Sequence, residues 1–155
     1  MQASDVAAYI QKTFPDVEST NAYGYDMFFY KSDRMLSFAT LISSDYDYDR
    51  ISHLDRPGVF RLNLGVSRRT FESLFGSDEV NLSRYDYTAL DVIMPHPEYA
   101  QHFFICVLSP SDSTFEKVCG LLAEAHDIAA HRYNRKHSTA ASEQAQANGV
   151  DEGRE

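Results

Sequence analysis

Six polar residues have the types and spacing that could bind or transform a small molecule: His53, Asp55, Arg56, Arg61, Asn63 and His96. An arginine can bind a carboxylate or phosphate through two parallel hydrogen bonds, and a histidine can move a proton near neutral pH. The set therefore predicts a non-catalytic binding module for a small acidic ligand or a protein partner. The alternative is a small enzyme in which His96 or His53 is the acid/base and Arg61 stabilises negative charge.

The residues around Arg61 alternate in the way that is typical of a strand with one buried face. The predicted core face comprises Phe60, Leu62, Leu64 and Val66, and Arg61 and Asn63 then share the opposite face. Two interpretations of that opposite face stay open. It is either exposed to solvent, with Arg61 paired to a carboxylate such as Asp55, or a recognition surface for an anion.

Prolines flank His96 on both sides, at positions 95 and 97. A residue that precedes a proline is kept out of the helical conformation, so this segment is predicted to be extended, with His96 held in place. The ring of His96 either satisfies a backbone carbonyl at a loop corner or contacts a ligand.

An acidic, tyrosine-rich loop precedes the strand, and its Asp45, Asp47 and Asp49 resemble the opening of a calcium-binding loop. Arg50 and Arg56 stand where such a loop needs a glycine and a glutamate. The aspartates are therefore predicted to pair with these arginines, and no metal site or other cofactor is expected.

The composition narrows the class of protein. A chain of 155 residues with 43% hydrophobic content can bury one core. Its formal charge of -9 disfavours nucleic-acid binding. No leader sequence or membrane-length apolar run is recognisable. We expect a cytoplasmic monomer or weak dimer whose Cys106 and Cys119 are free thiols, buried and slow to react.

The periodicity of the chain predicts an α+β fold in two layers. An antiparallel sheet of about five strands is expected, with the N- and C-terminal helices packed on one face. In the third strand, Leu36, Phe38, Thr40 and Ile42 are predicted to share one face, and Ser37, Ala39 and Leu41 the other. Residues 1–136 form the predicted single domain, and residues 137–155, which are poor in apolar side chains, form a predicted disordered tail.

Four segments carry a family resemblance: residues 38–41, 54–63, 88–91 and 96–99. Through them the run from Phe29 to Tyr133 resembles the bacterial domain-of-unknown-function 6194 group. The positions that match its pattern are Asp55, Arg56, Arg61, Asn63 and His96. The chain departs from the pattern at Phe103-Phe104, where a tryptophan is expected.

The order of the predicted elements is more distantly similar to that of the MmcQ/YjbR-like proteins. That resemblance implies a CyaY-like α+β fold. Some of those proteins have been proposed to bind DNA, which the acidic charge of this chain disfavours. Both resemblances imply a fold more than an activity.

Overall fold

The computed structural model describes the backbone of residues 1–152 and the side chains of residues 1–138. The fold is α+β, as the sequence predicts. Its helices are α1 (Ala3–Thr13), α2 (Arg68–Phe75) and α3 (Asp112–Glu152). Its strands are β1 (Val17–Ala22), β2 (Tyr25–Tyr30), β3 (Ala39–Ile42), β4 (Arg61–Gly65), β5 (Met94–Pro95) and β6 (Phe104–Leu108).

The six strands form one antiparallel sheet in the order β1-β2-β3-β4-β6-β5. The prediction of about five strands missed β5, because a two-residue strand that contains a proline has no periodicity to detect. Its residues Met94 and Pro95 pair with Cys106 and Ile105 of β6.

Helices α1 and α3 cover one face of the sheet, which confirms the predicted two-layer arrangement. The predicted core face of β4 is also confirmed, since Phe60, Leu62, Leu64 and Val66 are buried in this core. The helices contribute Val6, Ile10, Val118, Leu122 and Ala125 to the same core. Each buried Val, Ile or Leu side chain of this set stabilises the fold by about 1.5 to 3 kcal/mol through removal from water.

The predicted alternation of β3 is correct from Ala39 to Ile42 but wrong at Phe38, which lies in the helix-side core together with Ala39 and Leu41. Ala39 and Leu41 point to the helices and belong to the core there, whereas Ile42 packs on the other face. Thr40 lies level with Met27 and Asn63 on neighbouring strands, also on the face away from the helices. Because most of this strand is buried on both faces, its hydrophobic pattern could not distinguish them.

Helix α3 is longer than predicted, since its backbone continues past residue 137 to Glu152. The predicted tail, residues 137–155, lies almost wholly outside the residues whose side chains are described, so that boundary stays a prediction. Among residues 1–152, no helix combines the length and the apolar character that crossing a membrane requires.

Candidate functional site

The sheet face opposite the helices is divided into a closed half and an open half. Loops close the half around the end of β3 and the start of β4. They form a second apolar core with the sheet, made of Ile42, Leu54, Val59, Tyr87, Met94, Cys106 and Leu108. A turn closed by a hydrogen bond from the Val59 amide to the Arg56 carbonyl (3.1 Å) leads back into the sheet. Gly58 has a φ of 75° in this turn, a conformation that suits glycine.

The open half is a cleft of about 1090 Å³. Side chains of the sheet and of the segment after β5 line its floor: Met27, Phe29, Thr40, Asn63, His96 and Phe104. Its rim carries large apolar side chains that are exposed to solvent: Tyr23, Met35, Leu36, Tyr48 and Tyr99. Gly65 makes room for the Phe104 ring, because a Cβ at this position would lie 3.0 Å from the ring.

A buried ion pair stands between the two halves. Arg61 is only 1% exposed, and its two terminal nitrogens bind the two carboxylate oxygens of Asp49 at 3.2 and 2.5 Å. Its Nη1 also donates to Ser52 Oγ at 2.9 Å. The expectation that Arg61 lies on a solvent-exposed face is therefore wrong, and its carboxylate partner is Asp49 instead of Asp55.

Asn63 connects this ion pair to the cleft. The Nε of Arg61 donates to Asn63 Oδ1 at 3.0 Å, and Asn63 Nδ2 donates to Thr40 Oγ1 at 3.0 Å. Asn63 is only 3% exposed, so it too is buried, contrary to expectation. Since Arg61 requires an acceptor, the amide oxygen of Asn63 must face Arg61 and the amide nitrogen must face Thr40.

The ion pair is held in its charged form. Burial alone would raise the pKa of Asp49, but hydrogen bonds from Arg61 and Tyr25, together with the Arg61 charge, outweigh burial and lower this pKa. Tyr25 donates to Asp49 Oδ2 at 2.5 Å. Burial and this carboxylate raise the pKa of Tyr25. Tyr25 is therefore a neutral donor to Asp49.

His96 is 5% exposed and lies on the floor of the cleft. Its backbone amide donates to the Phe104 carbonyl at 2.9 Å, and its ring Nδ1 accepts from the amides of Glu98 and Tyr99, both at 3.0 Å. The ring thus binds backbone amides and no carbonyl. Burial, and then the Arg61 charge, lower the pKa of His96 to about 4. At neutral pH the ring is uncharged and carries its proton on Nε2.

The other three predicted site residues lie on the closed half. Arg56 connects two backbone segments, since it donates to the carbonyls of His53, Ser52 and Thr88 at 2.7 to 3.0 Å. Asp55 accepts a hydrogen bond from the Asp45 amide at 3.0 Å. His53 is exposed and has a φ of 49°. None of the three lines the cleft, whereas Asn63 and His96 do.

The three aspartates of the acidic loop have different partners. Asp45 accepts from the Leu54 amide at 2.8 Å, and Asp47 pairs with Arg50 at 2.8 Å. Only the Arg50 pairing agrees with the sequence-based expectation, because Arg56 binds carbonyl groups. Asp49 turns inward to Arg61, so the three carboxylates do not converge as calcium ligands would.

Sequence reasoning missed Asp49, Tyr25 and the aromatic walls of the cleft. The available signal was in β2, where Tyr25, Met27 and Phe29 alternate with Asp26, Phe28 and Tyr30. A strand with large apolar residues on both sides has a covered or ligand-facing second face. Nothing in the spacing identified which aspartate of the acidic loop would reach Arg61.

A likeness to solved structures supports the fold. The chain is similar to a protein from Pseudomonas syringae whose crystal structure was determined by the Northeast Structural Genomics Consortium. The two chains are 17% identical, the match covers 83% of this chain and 99% of the other, and the TM-score is 0.51. At this identity the likeness concerns the fold alone, and the predicted link to MmcQ/YjbR-like proteins stays a prediction.

The search of curated proteins finds no match to this sequence. The model of a family of unknown function, DUF6194, matches residues 1–138, which include every strand and the first part of α3. The chain therefore belongs to the DUF6194 family, as its sequence motifs indicate.

Proposed function

We propose that the protein is a non-catalytic binding module that holds a small ligand in the cleft on the open half of the sheet. One observation carries this proposal: exposed apolar side chains surround a floor of buried, oriented polar groups. Soluble proteins seldom leave large contiguous apolar patches exposed without a function. Small-molecule sites are typically apolar concavities with a few well-placed polar groups.

The cleft is a better candidate for the ligand site than the guanidinium group of Arg61. The two terminal nitrogens of Arg61 are bound to Asp49, so an acidic ligand would have to displace a buried carboxylate to reach them. The cost of leaving a buried charge without its partner is several kcal/mol. We therefore place the ligand above Asn63 and His96, with Arg61 acting as the support that orients Asn63.

The catalytic alternative has less support from the geometry. A general base needs a free lone pair, but Nδ1 of His96 is held by two amides and Nε2 carries the proton. His53 lies on the closed half and does not line the cleft. Neither histidine is therefore arranged as an acid/base, although His96 is well placed to donate a hydrogen bond.

A fragment screen tests the binding function. We expect fragments with an apolar body to shift the backbone amide NMR signals of Tyr23, Tyr48 and Tyr99 in a saturable way. Replacing Ser37, which lines the cleft, by tryptophan places an indole ring in the cleft and should reduce or abolish these shifts. Ser73→Trp, at an exposed position of α2 outside the cleft, is the matched control and should leave them unchanged.

Two results would contradict this proposal. One is a diverse library that produces no saturable shift in the cleft. The other is binding that Ser37→Trp leaves intact, because the ligand would then occupy another surface. Shifts produced only by a protein or peptide would assign the cleft to a macromolecular partner instead of a small ligand.

A further inference from the structure

The ring of His96 directs its proton away from its own backbone. The amides of Glu98 and Tyr99 both donate to Nδ1 at 3.0 Å, so this nitrogen must be an acceptor. The proton then lies on Nε2, which makes no hydrogen bond to any residue among 1–138. His96 is more than nine-tenths buried and lines the cleft. It therefore offers one unused donor to whatever enters.

Asn63 and Thr40 add further donors to the same floor. Arg61 fixes the amide of Asn63, whose Nδ2 uses one hydrogen on Thr40 and retains a second. Thr40 Oγ1 accepts that first hydrogen, so its own hydroxyl hydrogen can be donated. By contrast, the carboxylate of Asp49, which also lines the cleft, already receives hydrogen bonds from Arg61 and Tyr25. The floor is therefore rich in donors and poor in free acceptors.

The floor of the cleft carries no net charge. Arg61 and Asp49 neutralise each other, and His96 is uncharged at neutral pH. The rim carries Glu98, and the chain as a whole has a formal charge of -9. Arg34 at the mouth is already near Glu18 (3.6 Å) and stacked on Phe29 (4.9 Å). A carboxylate placed on the floor would lose its hydration without meeting a cation among the floor residues.

The walls define the rest of the ligand. Met27, Phe29 and Phe104 form the apolar part of the floor. Tyr25 and Tyr48 lie beside it, with their ring centroids 6.5 Å apart. Aromatic walls of this kind favour a ring that can pack against them. A ligand that matches both parts of the cleft has an apolar ring and an oxygen acceptor without charge.

We propose that the cleft takes an uncharged aromatic or alicyclic carbonyl compound, with its carbonyl oxygen bound by Nε2–H of His96. This inference rests on the proposed binding function and adds the chemical class of the ligand. A ketone, ester or amide oxygen fits this donor, whereas an ammonium group placed on the floor beside His96 would meet another donor.

Three probes with one common body test the choice of head group: 2-acetylnaphthalene, 2-naphthoate and 2-naphthylmethylammonium. Dissociation constants are measured by amide NMR titration at neutral pH. We expect the ketone to bind at least about fivefold more tightly than either charged probe, the ratio produced by roughly one net hydrogen bond. With a ¹³C-labelled carbonyl, its resonance should move downfield on binding, as it does when the oxygen accepts a hydrogen bond.

Two variants assign the donor. In His96→Asn the shorter side chain can still accept from the backbone amides, as asparagine does in turns, but it withdraws Nε2–H from the cleft. Thr40→Val removes a hydroxyl from the part of the floor on β3, which β4 and β6 separate from β5. We expect His96→Asn to weaken ketone binding by about two- to tenfold and to reduce the downfield shift, whereas the shift should persist in Thr40→Val. If His96→Asn does not fold, the carbonyl shift and the head-group order in the wild type carry the test.

The outcomes separate this inference from the binding function. Charged probes that bind in the cleft as tightly as the ketone would overturn the inference and leave the binding module intact. An unshifted carbonyl resonance in a saturated complex would overturn it too. If none of the three probes shifts the cleft amides while other fragments do, the ligand class is wrong. If no fragment binds there at all, both the class and the module fail.

Discussion

The two faces of the sheet are buried in different ways. The face under α1 and α3 is packed with apolar side chains such as Leu62 and Leu64, which are fully buried. The face away from the helices holds a buried ion pair, a buried asparagine and a buried histidine beside an open cleft. Among the described residues, every polar side-chain atom that is closed off from solvent has a partner, so the polar face is organised as well as the apolar one.

The difference shows what each face is suited to do. An apolar face is stabilised by the removal of area from water, which has no direction and tolerates exchange of similar side chains. A buried polar face requires specific partners in fixed orientations, and that requirement fixes the direction of each donor. The face away from the helices is therefore the one that can recognise a ligand.

The largest effect is expected from breaking the ion pair. Arg61→Met leaves Asp49 as a buried carboxylate without its cation, which should cost about 3 to 5 kcal/mol in the free energy of unfolding measured in urea. Adding Asp49→Asn removes the unpaired charge and should recover at least about half of the loss. On the other face, Leu62→Ala should cost about 2 to 5 kcal/mol through a cavity, with no such rescue. A loss below about 1 kcal/mol for Arg61→Met would contradict the burial of the pair.

The burial of neutral His96 should make the stability of the protein depend on pH. The folded pKa of His96 is about 4 and lies below its ordinary value of 6.5. Because the unfolded chain binds the proton more readily, the contribution of His96 is complete above about pH 6.5 and is lost as the pH falls toward 4. The loss should be about 3 kcal/mol over this window.

Urea unfolding of the wild type and of His96→Asn at several pH values measures this loss. The variant should show a flatter dependence between about pH 6.5 and pH 4. Equal slopes for the two proteins would show that His96 is not buried in its neutral form. The lowered pKa of Asp49 acts below its ordinary value of 3.8, so it does not mask the effect.

Two glycines give a smaller, matched comparison. At Gly65 a methyl group would meet the Phe104 ring at 3.0 Å, so Gly65→Ala should destabilise the protein by about 1 to 3 kcal/mol. At Gly120 a methyl group meets nothing within 4 Å, and Gly120→Ala on α3 should stabilise by about 0.4 to 1 kcal/mol. Thermal melts distinguish the two, and a neutral Gly65→Ala would mean that Phe104 moves freely in the floor of the cleft.

The two thiols show how well each face of the sheet is shielded from a reagent. Labelling them tests this shielding without a change in the free energy of unfolding. Cys106 on β6 is fully buried, and burial raises its pKa to about 12, so it should not react with a thiol reagent before unfolding. Cys119 on α3 is partly exposed and should react sooner than the sequence alone suggested. A Cys119→Ala variant isolates the Cys106 signal. Rapid labelling of that variant would show that the closed half opens in the native state.

The sequence predicted the apolar face well and the polar face only in part. Alternation along β4 identifies Leu62 and Leu64 as core because apolar burial leaves a periodic signal. The same alternation places Arg61 on the opposite face but does not show whether a loop covers it. The loop that covers Arg61 is held there by Asp49. This residue is distant from Arg61 in sequence and is one of three similar aspartates in its loop.

Local chemistry predicted His96 more closely. Two prolines indicated a fixed histidine in an extended segment, and the structure has that arrangement. The acceptor role of Nδ1 could not be predicted, because it depends on the path of the backbone through Glu98 and Tyr99. The assembly of the cleft depends on how β2 and the segment after His96 approach each other, and neither contains a motif that specifies this.

The prolines that hold His96 also determine how the sheet ends. β5 is an outermost strand, only two residues long, and one of them is Pro95, which has no N–H to donate to a further strand. A short edge that contains proline is a common protection against pairing with other chains. The opposite edge, β1, has six residues with an exposed, polar central portion that includes Glu18. Growth of the sheet by strand addition is thus blocked on the side of the cleft where His96 lies, and any pairing between copies would have to use β1.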